Sequence, residues 1–311
     1  MTDRDFLRVE GVVKRYADVT AVNGVSFGVA RGESVGLVGE SGCGKSTLAR
    51  VIAGLEKPTS GAVLLEGKPY RLRPGRGRCR MNMVFQDPAD SFDSHMTVSA
   101  SLYEALSHTR GVGGRDAVPL IAEALRLVEL PESYAQRKIH QLSGGECQRV
   151  GIARAVITQP DILICDEATS ALDVSVQAQI IRLLRRIREA HDFTYLFIAH
   201  DLGLVATMCD RVLVMYRGMI VEEGPANAVM EAPLHPYTRL LVDCARAFAM
   251  EYSATSGVLP RVPEPGNGEA AGCPYAIYCS ERRERCLREA PALIEWSEGR
   301  RAACHNLEGV R

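Results

Sequence analysis

Short stretches of apolar residues recur along this chain, separated by longer segments with helical spacing. The opening is β-rich: Phe6–Val13 reads as one strand and Ala21–Val29 as a second, with Val22, Val25, Phe27 and Val29 marking a half-buried face. Ser34–Val38 is a short apolar run that feeds directly into a glycine-rich loop. Leu48, Val51, Ile52 and Leu55 then recur at helical spacing until Lys57-Pro58 stops the pattern. Gly61–Gly67 is predicted as a hairpin strand and Met81–Phe85 as another strand. From Met96 to about Leu130 the spacing is mainly helical, with a break at Gly111-Val112-Gly113-Gly114. Ile162–Cys165, Thr194–Ala199 and Arg211–Tyr216 are further apolar strands, separated by helical stretches over Val174–Ala190 and Leu202–Cys209. This alternation predicts an α/β fold with a mostly parallel central sheet and a helical insertion. Gly257–Gly272, rich in Pro and Gly, reads as a linker before a small cysteine-bearing tail.

Composition narrows the functional classes. With 46% apolar and 24% charged residues over 311 positions, the chain can bury a substantial core. A formal net charge of −1 gives no support for nucleic-acid binding or for docking on anionic lipid. No signal-peptide layout opens the chain, and no apolar run approaches the roughly 18–20 residues that cross a bilayer. The expected location is the cytoplasm, with any membrane association made through partner chains. Six of the ten cysteines (Cys43, Cys79, Cys147, Cys165, Cys209, Cys244) are scattered and read as small buried hydrophobes.

The chemistry concentrates in three segments. Gly39-Glu40-Ser41-Gly42-Cys43-Gly44-Lys45-Ser46-Thr47 is a phosphate loop in its expected context, a strand before it and a helix after it. Its glycines let backbone N–H groups approach phosphates, and the helix directs its positive end at them. Lys45 is expected to neutralise the β- and γ-phosphates and Ser46 to ligate Mg²⁺. Asp166 ends an apolar strand and suits the metal site; Glu167, one residue on, is the candidate to polarise the attacking water. Leu142-Ser143-Gly144-Gly145-Glu146 opens a helical segment over Glu146–Val156, with Ser143 placed as its N-cap. One γ-phosphate does not need two helix termini from one side. The economical arrangement clamps ATP between the phosphate loop of one chain and the LSGGE segment of another.

These motifs, in this order, resemble the ATP-binding subunits of ABC transporters over roughly Phe6 to Pro236. The resemblance implies a P-loop ATPase core with a mixed sheet over residues 1–236, a helical subdomain at about 89–155, and a C-terminal extension over 237–311. It further implies that Tyr16 stacks on adenine and that Gln86, in Val84-Phe85-Gln86-Asp87-Pro88, touches the metal or water. Ser170-Ala171-Leu172-Asp173 resembles the D-loop, which crosses the dimer interface, and His200 the switch histidine that contacts the γ-phosphate. Mg²⁺ would then be held through Ser46, Gln86 and Asp166.

Two features point to a branch of the family. Pro233-Leu234-His235-Pro236-Tyr237-Thr238 and the wording of Ala168–Gln179 resemble the ATPases of oligopeptide, dipeptide and nickel importers. Departures occur at Ala168, at Asp93-Ser94-His95 and at Glu146-Cys147. The second feature is the quartet Cys273, Cys279, Cys286 and Cys304, spaced C-x5-C-x6-C-x17-C. That spacing is looser than the pairs usual for zinc. Four thiolates suit an iron–sulfur cluster, with Arg282, Arg283, Arg285, Arg300 and Arg301 available to offset its charge. The same tail occurs in oligopeptide and dipeptide importer ATPases, some of which carry a [4Fe–4S] cluster; zinc and no metal are the alternatives. The implied function is an ATPase that drives a peptide importer, with nickel–chelate, opine and sugar cargoes as alternatives. The implied partners are a second ATP-binding subunit (a copy or a paralogue), two membrane permeases at the cytoplasmic face and, indirectly, a solute-binding protein. A soluble ABC protein of translation or DNA repair fits poorly, because the chain has one phosphate loop and only a short insertion.

Overall fold

The computed structural model describes residues 5–72, 79–87, 91–167, 173–251 and 272–307. Pro88, the D-loop residues Ser170, Ala171 and Leu172, and the linker up to residue 271 lie outside the described residues.

Two sheets carry the fold. The smaller is antiparallel, in the order β2-β1-β4-β5, from β1 (Leu7–Tyr16), β2 (Val19–Val29), β4 (Ser60–Leu65) and β5 (Lys68–Pro69). The larger has eight strands in the order β11-β12-β10-β9-β3-β8-β7-β6. Its centre is parallel: β3 (Ser34–Val38), β6 (Met81–Val84), β7 (Ile162–Asp166), β8 (Thr194–Ala199) and β9 (Arg211–Tyr216). These strands are covered on both faces, so they read as nearly continuous apolar runs, and successive residues divide between two cores. Ile162, Ile164, Leu196, Ile198, Leu213 and Met215 pack towards the smaller sheet and helix α1 (Lys45–Ile52). Leu163, Cys165, Phe197, Val212 and Val214 face the remaining helices.

The helical insertion consists of α2 (Val98–Arg110), α3 (Gly114–Leu127) and α4 (Gly144–Val156). The glycine break at 111–114 falls between α2 and α3, and Thr97 caps α2 by accepting from the Ala100 N–H at 3.2 Å. Beyond it come α5 (Val174–Ala190), α6 (Leu202–Met208), β10 (Met219–Pro225), α7 (Ala226–Glu231) and α8 (Pro236–Glu251).

The C-terminal segment adds α9 (Glu284–Arg288) and a hairpin of β11 (Ile294–Ser297) and β12 (Arg300–Ala302). β12 pairs with β10 through Glu222↔Ala302 and Glu223↔Arg301, so the hairpin extends the main sheet. Cys273, Tyr275, Ala276 and Cys286 join the larger core. The tail therefore borrows the core of the preceding fold, which is how a segment with little core of its own is held. Among the described residues, no helix is long and apolar enough to cross a membrane.

The parallel strands set the site. β3, β6, β7 and β8 all end at the same sheet edge. Their C-terminal ends are followed by the phosphate loop, Gln86, Glu167 and His200 respectively.

Candidate nucleotide site and cysteine cavity

The phosphate loop closes on Gly44, the N-cap of α1, at φ 107°. A Cβ there would lie 2.1 Å from the Ala21 carbonyl oxygen, so only glycine fits. Lys45 is buried, at 3% exposure, and its Nζ donates to the Gly39 and Glu40 carbonyls, each at 2.8 Å. Glu167 Oε1 is 3.8 Å from the same nitrogen. Ser46 Oγ donates to Asp166 Oδ1 at 2.9 Å, which brings together two of the three predicted metal ligands. Burial pushes the Asp166 carboxyl above its ordinary value; the Glu167 charge adds to this, while the Ser46 hydrogen bond, Arg50 and Lys45 act against it.

Glu167 adopts φ 44°, in the left-handed region, and its N–H donates to the Ile198 carbonyl at 3.0 Å. A non-glycine residue held there is uncommon and costs about 1 kcal/mol or more. The turn aims the carboxylate back over the loop rather than along the strand. Ser41, Gly42, Gly44, Lys45, Ser46, Thr47, Gln86 and Glu167, with Ala21, line one open cleft of about 170 Å³. Ala21 escaped the sequence reading, because only the fold brings β2 against the loop.

Other predicted site residues lie outside that lining. Cys43 is buried in the core between the sheets, and Gly39 and Glu40 are not among the residues that line the cleft. Tyr16 ends β1 at 42% exposure, beside Thr47; its hydroxyl donates to Glu56, and the Lys14 ammonium lies 4.8 Å above its ring. His200 is exposed just past β8.

The LSGGE segment forms the N-terminus of α4, which begins at Gly144 rather than Glu146. Ser143 and Glu146 make a reciprocal capping box: Ser143 N–H donates to Glu146 Oε2 at 2.8 Å, and Ser143 Oγ accepts from Glu146 N–H at 3.3 Å. Tyr134 clamps the other carboxylate oxygen of Glu146 at 2.5 Å. A Cβ on Gly145 would lie 2.7 Å from Val176 Cγ1, so that glycine lets α4 meet the start of α5. Asp173 caps α5, its Oδ1 accepting from Val176 N–H at 3.0 Å and Ser175 Oγ at 2.7 Å. Leu142 is half-buried and Gly144 exposed. None of the LSGGE residues lines the cleft at the phosphate loop.

The four tail cysteines converge. Cys273, Cys279, Cys286 and Cys304 line one small cavity with His235, Tyr275 and His305, and its volume of about 10 Å³ leaves room for little more than a water. Each sulfur meets a backbone N–H: Cys273 that of Tyr275, Cys279 that of Glu281, Cys304 that of Asn306, and Cys286 that of Arg283 at 3.4 Å. Burial pushes the Cys273 thiol up to about 11 and also raises Cys279 and Cys304. Among the described residues, no group of three or more His, Cys, Asp or Glu side chains is gathered closely enough to hold a metal ion. Nor are all the nearby arginines aimed at the thiols: Arg285 pairs with Glu289 at 2.7 Å, Arg300 with Glu222 at 3.2 Å, and Arg301 with Glu223 at 2.9 Å.

This fold and this cleft define an ATPase of the ABC type. The family model for ABC transporters matches residues 22–170, and that for the oligopeptide/dipeptide transporter C-terminal region matches residues 221–286. The chain is 38% identical to a protein of Brucella ovis named for peptide import and ATP binding, over 98% of each chain. It is also 38% identical to the di/tripeptide transport ATP-binding protein DppF of Pseudomonas aeruginosa, over 99% of this chain and 98% of that one. Among solved structures it resembles cbiO1 of Clostridium perfringens, part of the ABC transporter complex cbiONQ. The TM-score is 0.64 and the identity 27%, covering 81% of this chain and 98% of that one. A dimeric ATP-binding cassette in a post-hydrolysis state with ADP and Pi matches with TM-score 0.62 and 27% identity, covering 71% of this chain and 98% of the other. The chain belongs to the ATP-binding proteins of ABC transporters, in the branch that carries the oligopeptide/dipeptide transporter C-terminal region.

Proposed function

We propose that this chain hydrolyses Mg·ATP at the cytoplasmic face of a membrane to drive peptide import. In this reading it is paired with a second ATP-binding chain and docked on two permeases that receive solute from a binding protein. The observation that carries the reading is the cleft in which Lys45, Ser46, Gln86 and Glu167 meet the end of β7. Lys45 offsets phosphate charge; Ser46, Asp166 and Gln86 hold the magnesium ion, which would neutralise charge developing on the phosphates. Glu167, turned over the loop by its left-handed backbone, orients the attacking water and accepts its proton. Tyr16 offers an exposed ring for adenine, and His200 and Asp173 complete the site on ATP-driven pairing. Peptide cargo is supported by the full-length relatives and by the C-terminal match.

The LSGGE helix N-terminus, which does not line its own chain's cleft, serves the partner's ATP. Gly144→Asp tests this, since an acid suits a helix N-terminus but repels a phosphate. The variant keeps its own ATP affinity, measured by calorimetry, and loses ATP-driven pairing, measured by light scattering. A fall in its own affinity would show that the segment acts in the same chain.

For the tail we propose that Cys273, Cys279, Cys286 and Cys304 hold a [4Fe–4S] cluster. The donor set is that of such a cluster, and an N–H directed at every sulfur stabilises thiolate ligands. The side chains must draw together around it. Anaerobically purified protein should contain iron and acid-labile sulfide and absorb broadly near 400 nm. Absence of iron rejects the cluster.

A further inference from the structure

Glu40, the second residue of the phosphate loop, has its backbone held from both sides. Its carbonyl oxygen accepts from Lys45 Nζ at 2.8 Å, while its N–H donates to the Tyr237 hydroxyl at 3.0 Å. Tyr237 comes from the first turn of α8 and is fully buried. Its ring packs against Tyr216 at 4.5 Å and against Tyr275 at 5.5 Å between centroids. Tyr216 ends β9, and the carbonyl of its neighbour Met215 is so close to Gly39 that a Cβ there would sit 2.2 Å from the oxygen. The entrance of the loop is thus fixed against β9 and Tyr237 together.

Through Tyr275, Tyr237 also packs against the wall of the cysteine cavity. Tyr275 lies between Cys273 and Cys279 and forms part of the wall of their cavity. His235, on the same wall, accepts the Tyr237 N–H through Nδ1 at 3.1 Å, and its ring is 5.8 Å from that of Tyr275. One buried side chain therefore touches both the phosphate loop and the packing around the tail.

Lys45 cannot hold Glu40 unconditionally. Two of its three N–H donors go to loop carbonyls, and a bound phosphate competes for them. Tyr237 is fully buried and does not line the cleft, so a phosphate there does not compete for its hydroxyl. We propose that Tyr237 is a positioning residue for ATP: it sets the Glu40 peptide, and the cysteine-bearing tail sets Tyr237 through Tyr275. The inference rests on the ATPase reading but not on any metal in the tail.

The test uses the full-length chain and its Tyr237→Phe, Tyr275→Leu and doubly substituted variants. Phe keeps the ring and removes only the hydroxyl. Tyr237→Phe should raise the ATP Kd and KM by about three- to tenfold, the scale of one hydrogen bond, with kcat at saturating ATP little changed. Its melting temperature without nucleotide should stay near that of the parent chain. Tyr275→Leu should weaken ATP binding too, and the double variant should be no worse than Tyr237→Phe alone, since both act through one contact. Unchanged ATP affinity in Tyr237→Phe overturns the proposal, as does a loss that tracks a lower melting temperature. Additive effects overturn the link to the tail. Absence of ATP binding by the parent chain itself would instead defeat the ATPase reading.

Discussion

Asp166 shows how a single side chain serves the site at the expense of the fold. The strand that carries it is fully buried, and burial is the main cause of its raised acid value. An acid whose folded value lies above its unfolded value costs stability once it is ionised, in full at pH above the folded value, and the cost fades as pH falls through that value. Asp166→Asn keeps an acceptor for Ser46 Oγ and removes the charge. The nucleotide-free variant should melt higher than the parent chain at pH 7, with the advantage shrinking as pH falls, while magnesium-dependent turnover is lost. A variant that melts lower at pH 7 would mean that Asp166 contributes to the fold as an anion. At this scale the sequence was most legible where chemistry depends on spacing, as in Gly39–Thr47 and Asp166-Glu167. The left-handed backbone of Glu167 had no signal, because neither residue type nor neighbours mark it. Tyr237 was visible only as part of Pro233–Thr238; its contact with Glu40 spans 197 residues.

Elements of uniform character were read well from hydropathy. Ser34–Val38, Thr194–Ala199, Arg211–Tyr216 and Val174–Ala190 appear in the structure with those bounds. α4 begins two residues before the expected Glu146, because the capping box places Gly144 and Gly145 inside the helix. β10 and the tail hairpin were missed for a physical reason. Val221-Glu222-Glu223-Gly224 carries two acids, and acids normally mark exposed positions, yet Glu222 and Glu223 are 0% and 1% exposed. Glu222 accepts from the Leu234 N–H at 2.9 Å, from the His235 N–H at 2.8 Å and from Arg300 at 3.2 Å. Glu223 pairs with Arg211 and Arg301. These partners come from three separate places in the chain, so no local pattern announces them. They also fasten β12 and the segment before α8 to the sheet, which keeps His235 and Tyr237 where the phosphate loop and the cysteines meet.

For the whole molecule, the sheet places four loops at one edge, and the LSGGE residues do not line the cleft there; in the proposed reading the chain supplies one half of each of two ATP sites. Glu167 is the residue on which the proposed hydrolysis most directly depends. In the assembled ATPase, Glu167→Gln should retain ATP affinity while turnover falls by about 10²- to 10⁴-fold, the range for removing a general base. Turnover equal to that of the parent chain would contradict the account and return Glu167 to a structural turn.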